Sequence, residues 1–97
     1  MATVRIGDRD LEVKLATLGF LKRKLLPARK ALLAANEEET PDRIVAIIYC
    51  YVGHNEGITE EWLLDNVPVD PSSIMRACIV ASGQQPREAA AGEAVSP

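Results

Sequence analysis

The feature that most constrains this chain is an apolar stretch at residues 44–52, IVAIIYCYV, which follows a strong helix-start signal. In that signal, Thr40-Pro41-Asp42, an oxygen-bearing side chain can cap the helix and proline occupies the first helical position. The acid lies near the positive end of the helix dipole. Because the stretch is apolar on every side, we expect a central helix that is surrounded by other helices or shared with a neighbouring subunit.

The first fifteen residues alternate between apolar and polar side chains on both sides of a turn signal. The apolar positions are Val4 and Ile6 before the turn-forming GDRD, and Leu11, Val13 and Leu15 after it. This pattern predicts a β-hairpin. Since a two-stranded ribbon is marginally stable alone, its apolar face should lie on helices or on another subunit.

A long helix is predicted from Thr17, as its cap, to about Ala35. One face of this helix carries Leu18, Leu21, Leu25, Ala28 and Leu32. Pro27 lies inside it, removes one backbone hydrogen bond and crowds the preceding turn. We therefore expect a kink near Leu26, or two helices that meet there.

Two short helices complete the predicted fold. Thr59 begins the first, which runs to about Asn66, and Asp70-Pro71 begins the second. The second carries a face of mainly small residues, namely Ile74, Ala77, Cys78 and Ala81, and Gly83 can end it in the left-handed conformation. The sequence thus predicts a mainly α fold: a small helical domain of four to five helices preceded by an N-terminal β-hairpin.

The domain is expected to occupy residues 1–83, and residues 84–97 to form a flexible tail. The tail sequence, QQPREAAAGEAVSP, is too poor in large apolar side chains to pack against a core.

Composition and charge exclude several classes of protein. The net charge of −3 argues against a general nucleic-acid binder. The N-terminus lacks the pattern of a signal peptide, and the longest apolar run is too short to span a bilayer, so we expect a cytosolic protein without membrane contact. Cys50 and Cys78 are expected to be reduced core thiols, because no second metal-binding element accompanies them.

Candidate chemistry is sparse in this sequence. His54 is the only histidine and should lie in a loop, and the helix dipole explains the adjacent Glu60 and Glu61. The glycines form no phosphate-binding pattern, and Trp62 falls within a helical apolar stretch. We expect no catalytic residue, no metal site and no cofactor.

Two surfaces are candidates for protein binding. On uninterrupted helical geometry Lys22, Arg23, Arg29 and Lys30 share one side of the first helix, with Leu26 and Leu33 between them. Such a face suits an acidic amphipathic partner helix, but a solvated basic face with two incidental leucines fits the pattern equally well. The second candidate is self-association of the chain through the central apolar helix at Ile44, Ile48 and Tyr51, together with the hairpin.

The order of these signals resembles the tail assembly chaperones of long-tailed bacteriophages. The resemblance covers about residues 3–83: an opening ribbon that leads into a leucine-rich helix with an internal proline, an apolar central helix, the phrase GITEEWL at residues 57–63, and a close at Ala81-Ser82-Gly83. It implies a non-enzymatic helical protein in the cytoplasm of the bacterial host. Such a protein binds the tape measure protein, keeps its long helices soluble, helps recruit tail tube protein and is absent from the finished virion.

The family resemblance also implies that a ribosomal frameshift near the end of the coding region can produce a longer second form, with which a loose tail would agree. It assigns no binding residue. Two alternatives remain open from the sequence: another phage or prophage part, such as a head–tail adaptor, and a small regulatory DNA-binding domain. The last predicted helix, with one basic residue, is a poor recognition helix.

Overall fold

The computed structural model describes residues 2–84, which form a helical domain behind an N-terminal hairpin. The elements are β1 (Thr3–Ile6), β2 (Arg9–Glu12), α1 (Leu18–Phe20), a π-helical turn (Leu21–Leu25), α2 (Leu26–Ala34), α3 (Thr40–Val52), α4 (Glu60–Asn66) and α5 (Ser72–Ala81). Since α1, the π turn and α2 are continuous, the described part of the chain contains four helical segments. The predicted mainly α fold with an N-terminal β-hairpin is confirmed.

The hairpin turns more tightly than the GDRD signal suggests. Ile6 pairs directly with Arg9, so Gly7 and Asp8 alone form the turn. Gly7 has a φ of 62°, which glycine adopts without strain, and a Cβ there would lie 2.7 Å from the Asn66 Oδ1. The turn therefore fits closely against the end of α4.

The apolar face of the hairpin lies on the helical core, as its alternation predicts. Val4, Ile6, Leu11 and Val13 are buried. Leu15 is exposed instead of continuing the pattern, because the chain has already left the strand. The Lys14 N–H donates to the Tyr51 carbonyl at 3.4 Å, and the Ala16 N–H to the Ser82 carbonyl at 2.9 Å, so this segment runs between the ends of α3 and α5.

The first helical segment starts at Thr17, as predicted, where the Oγ1 accepts the Phe20 N–H at 3.1 Å. Near Leu26 the pattern of backbone hydrogen bonds changes from that of an α-helix. The Leu26 N–H donates to the Leu21 carbonyl, five residues back, and this hydrogen bond closes the π turn. The ring of Pro27 crowds the carbonyl four residues before it, and an extra residue in the preceding turn relieves that crowding. The expected kink or break is thus a π turn. Leu18, predicted on the core face, is exposed.

The start of α3 depends on Asn36 rather than on Thr40. The Asn36 Oδ1 accepts the Glu39 N–H at 2.9 Å, and the Glu39 carboxylate accepts the Asn36 N–H at 3.2 Å. This reciprocal pair is a capping box. The Thr40 hydroxyl donates to the Asn36 carbonyl at 2.9 Å, so the prediction of Thr40 as the cap is wrong by one turn.

The core is built around α3. Ile48, Tyr51 and Val52 of this helix are buried with Leu25 and Leu63, and the Tyr51 ring lies 5.6 Å from that of Phe20, centroid to centroid. The central helix α3 contacts both α2 and α4, and α5 packs against β1. The predicted core residues Ile74 and Cys78 of α5 are buried. Within residues 2–84, no helix has both the length and the apolar character that a membrane crossing requires.

The last helix, α5, ends in the left-handed glycine that the sequence predicts. Gly83 has a φ of 90°; its N–H donates to Val80, and the Gln84 N–H to Ile79, which is the Schellman pattern. The Gln84 side chain, assigned by prediction to the tail, donates to the Tyr51 hydroxyl at 3.0 Å. The rest of the predicted flexible tail, residues 85–97, lies outside the described residues.

Candidate functional site: an exposed helix face and an apolar groove

One side of α2 presents leucine to solvent. Leu26, Arg29, Lys30 and Leu33 are spaced by three, four and seven positions, so they share one helix face. The side chains of Leu33 and Leu26 are 87% and 42% exposed. We call these four residues the α2 face.

A neighbouring side of the same helical segment carries the packing, since Leu25 and Leu32 lie about 100° around the helix from Leu26 and Leu33. Leu25 is fully buried, and Leu32 is partly buried against the core. The packing of this segment therefore does not need Leu26 or Leu33. The two interpretations of this surface, incidental leucines and a docking face, both require Leu33 to lie outside the core. Its 87% exposure agrees with both.

Lys22 and Arg23 belong to the π turn and stand apart from the α2 face. An uninterrupted α-helix would place Lys22 and Arg23 on the side of the α2 face. The additional residue in the π turn rotates the part of the helix before it relative to α2. The Arg23 guanidinium lies back over Gly19, where a Cβ would be 2.5 Å from the Nη2. Both side chains are exposed, so they contribute positive charge beside the face rather than within it.

Arg29 lies at the margin of the α2 face. With Leu32 and Tyr51 it lines a small cavity of about 220 Å³ between α2, α3 and α5. Burial raises the pKa of Tyr51, while the Gln84 hydrogen bond and the Arg29 charge act in the opposite direction. Arg29 therefore connects the face to the core, whereas Lys30 is exposed beside the leucines.

The three residues predicted for self-association separate into two environments. Ile48 and Tyr51 are buried in the core of their own chain, so the apolar width of α3 is covered largely within the domain. Ile44 is partly exposed and lines a groove. Self-association stays a prediction, and Ile44 is the only one of the three with surface to offer.

This groove has a volume of about 420 Å³. Its lining combines the start of α3 with the α4–α5 connection: Glu37, Thr40, Pro41, Ile44, Val45, Leu64, Val67, Pro68, Val69 and Pro71. From the sequence, Asp70-Pro71 predicts only the start of the second short helix, and no role is predicted for Val67 or Val69. The signal for the groove is the pair of prolines, Pro68 and Pro71, which keeps this segment out of a helix and leaves Val69 exposed.

Charge is strongly segregated along the chain. Residues 13–35 hold six Lys and Arg and no acid, whereas residues 36–75 hold nine Asp and Glu and a single cation, Arg43. The α2 face belongs to the first region and the groove to the second. The two candidate surfaces thus have opposite electrostatic surroundings.

The remaining reactive side chains have structural surroundings. His54 Nε2 lies 3.5 Å from a Glu12 carboxylate oxygen near the surface. Burial raises the pKa of the Cys50 thiol and raises that of Cys78 to about 12, which keeps both in the unreactive protonated form. Thr59 caps α4 by accepting the Trp62 N–H at 3.0 Å, with Glu60 and Glu61 in its first turn.

Across residues 2–84, no group of three or more His, Cys, Asp or Glu side chains is arranged to hold a metal ion. The chain matches no protein-family model, no curated protein and no solved structure.

Proposed function

We propose that this protein is a non-enzymatic tail assembly chaperone of a phage or prophage. In this proposal it binds helices of the tape measure protein in the bacterial cytoplasm and promotes assembly of the tail tube protein around them. The observation that carries the proposal is the 87% exposure of Leu33 on a helix whose contact with the core is made by other leucines, Leu25 and Leu32.

Exposed leucine at helical spacing supports a helical partner. Leu26 and Leu33 lie one heptad apart, which matches the apolar stripe of an amphipathic helix laid along α2. Fully burying an exposed leucine is worth roughly 1.5–3 kcal/mol. Because Leu26 is already more than half buried, the two side chains together supply about 2–4 kcal/mol before the ordering costs of binding. The leucines therefore provide most of the affinity of this face.

The cations of the first helical segment define the partner's charge. Arg29 and Lys30 lie on the face with the leucines, Lys22 and Arg23 add positive charge beside it, and residues 13–35 contain no acid. Exposed ion pairs are each worth under about 1 kcal/mol, but complementary charge speeds association and orients the partner. An acidic amphipathic helix is the partner that this surface favours.

A chaperone role follows from covering such a stripe. A long, isolated amphipathic helix exposes an apolar surface that drives aggregation until its final partners arrive. A small domain that binds this surface with modest affinity keeps the helix soluble and releases it when tail tube subunits compete. This role requires recognition and release, and no chemical step.

A pull-down tests the proposal directly. The full chain is co-expressed with the protein encoded by the long helix-rich open reading frame that neighbours its gene. The complex is captured, and its mass is measured. Leu33→Ser should weaken binding at every salt concentration with the fold intact. Leu18→Ser is the matched control, because Leu18 is equally exposed but lies on α1, outside the face.

Arg29→Glu with Lys30→Glu should slow association and reduce its salt dependence. A folded wild type that captures no helical partner, or equal losses for Leu33→Ser and Leu18→Ser, would overturn the proposal. Retention of the protein in mature particles would assign it instead to a structural part such as a head–tail adaptor.

A further inference from the structure

We propose that the groove between the start of α3 and the α4–α5 connection binds the α2 face of a second copy of this chain. The contact is head-to-tail, since the two surfaces differ. The inference is independent of the proposed function, because it concerns only this chain and is measured with it alone.

The groove has an apolar surface that the chain itself leaves uncovered. Val69 is fully exposed and Leu64 is 43% exposed, and both line the concavity together with Ile44 and Val45. A continuous apolar concavity of this kind suits large aliphatic side chains. The α2 face offers two such side chains, Leu26 and Leu33.

Charge identifies the occupant. Glu37 is the only charged residue that lines the groove, and five further exposed acids each adjoin a lining residue along the chain: Glu38, Glu39, Asp42, Asp65 and Asp70. Arg43, the one cation of this region, lies 3.9 Å from Glu39. An apolar occupant flanked by cations is therefore favoured over one flanked by acids. The α2 face, with Lys30 and Arg29 beside its leucines, has that composition.

The contact joins two copies rather than two parts of one chain. Leu33 and Val69 are both exposed in the same molecule, so the α2 face does not cover its own groove. The surfaces are also not self-complementary, because two α2 faces would bring like charges together, as would two grooves. A heterologous contact of this kind leaves one free surface at each end and continues into a ring or a filament.

The experiment uses two variants that each lose one surface. Leu33→Asp damages the α2 face and leaves the groove intact, whereas Val69→Lys damages the groove and leaves the α2 face intact. Sedimentation velocity over a concentration series at low salt should show that wild type self-associates. Each variant alone should associate at least about tenfold more weakly. An equimolar mixture should give a 1:1 dimer that does not grow further, since only one intact pair of surfaces remains.

Controls separate this contact from general stickiness. Leu18→Asp and Val80→Lys place the same charges at exposed apolar positions outside both surfaces and should associate like wild type. Circular dichroism verifies that every variant is folded, and high salt should weaken the wild-type contact. A wild type that stays monomeric at high concentration, single variants that still assemble, or a mixture that stays monomeric would each overturn the inference.

Discussion

Asn55 pairs with Glu12 through its side-chain amide as a neighbouring strand would through its backbone. The Asn55 Oδ1 accepts the Glu12 N–H at 3.0 Å, and its Nδ2 donates to the Glu12 carbonyl at 2.9 Å. The same Nδ2 donates to the Val52 carbonyl at 2.8 Å, at the end of α3. One side chain therefore satisfies the outer edge of β2 and attaches the hairpin to the central helix.

Replacing Asn55 with alanine should loosen the hairpin. The Glu12 N–H and the Glu12 carbonyl both lose a partner, and we expect a loss of about 1–3 kcal/mol in the free energy of unfolding. Urea denaturation measures this loss, and hydrogen exchange should show faster exchange of the Glu12 amide. Glu56→Ala, at an adjacent exposed position, should stay within about 0.5 kcal/mol of wild type. Equal stabilities for the two variants would refute the role of Asn55.

Substitution by alanine should destabilise the protein strongly at Leu25 and hardly at all at Leu33. Leu25→Ala removes a fully buried side chain and should cost about 2–5 kcal/mol of stability, by lost burial and the cavity left behind. Leu33→Ala removes a mostly exposed side chain and should change stability by less than about 0.5 kcal/mol. Thermal or urea unfolding compares the two. A large loss for Leu33→Ala would assign that residue to the core and remove the α2 face as a binding surface.

The capping box at α3 predicts a larger role for Asn36 than for Thr40. Asn36→Ala should destabilise the protein by about 0.5–2 kcal/mol, because the Glu39 N–H loses its side-chain acceptor and keeps only the Asn36 carbonyl, at 3.1 Å, which it shares with the Thr40 N–H. Thr40→Ala should be nearly neutral: the hydroxyl it removes donates only to a carbonyl that already accepts two backbone N–H groups, and alanine favours the helix. Urea midpoints of the two variants test this order. A greater loss for Thr40→Ala would return the cap to the position that the sequence predicts.

Cys78 should make the protein less stable in alkali. Burial raises the pKa of its thiol from 9.0 to about 12, so the unfolded chain releases this proton at a lower pH than the folded chain does. Stability should therefore be unaffected well below pH 9.0 and should fall as the pH rises from there toward about 12, with a slope of up to about 1.4 kcal/mol per pH unit.

Urea unfolding at several pH values measures this slope, and Cys78→Ala should flatten it. Cys50→Ala is the control: burial also raises the pKa of that thiol, but Cys50 is only partly buried and its removal should flatten the slope less. An unchanged slope in Cys78→Ala would contradict the prediction.

The two proposed contacts use one face and should exclude each other. A peptide that covers Leu26 and Leu33 should therefore dissociate the head-to-tail assembly. Sedimentation velocity with increasing tape measure peptide should show conversion of oligomers to 1:1 complexes. Simultaneous binding of peptide and full-size oligomers would place the two contacts on different surfaces.

Most helix boundaries could be predicted because local chemistry determines them. Thr17 and Thr59 each cap a helix, because the side-chain oxygen accepts a hydrogen bond from the backbone N–H three residues later. Gly83 ends α5 with a positive φ. The alternation of Val4, Ile6 and Leu11 likewise needs no knowledge of distant partners. These signals are short, and the structure uses each one.

The candidate site was harder to predict because it depends on geometry that the sequence does not display. The positions of Lys22 and Arg23 relative to Leu26 change with one additional residue in the helix, which Pro27 suggests without specifying. The groove joins Pro41 and Ile44 to Val67 and Val69, which are distant in sequence and adjacent only after α4 packs on α3. The apolar width of α3 suggested shared burial at Ile48, and the chain's own helices supply that burial.

The π turn also determines which leucines of this helical segment are buried. An additional residue shifts the angular phase of a helix by roughly 100°, since each residue turns the helix by that amount. Deleting one residue between Leu21 and Leu25 would remove the offset and rotate everything after it, so that Leu25 and Leu33 could no longer keep their present sides. The orientation of α2 relative to α1 is thus determined by the number of residues in the π turn, and an insertion or deletion one residue long would shift it by roughly 100° while the sequence of α2 stays unchanged.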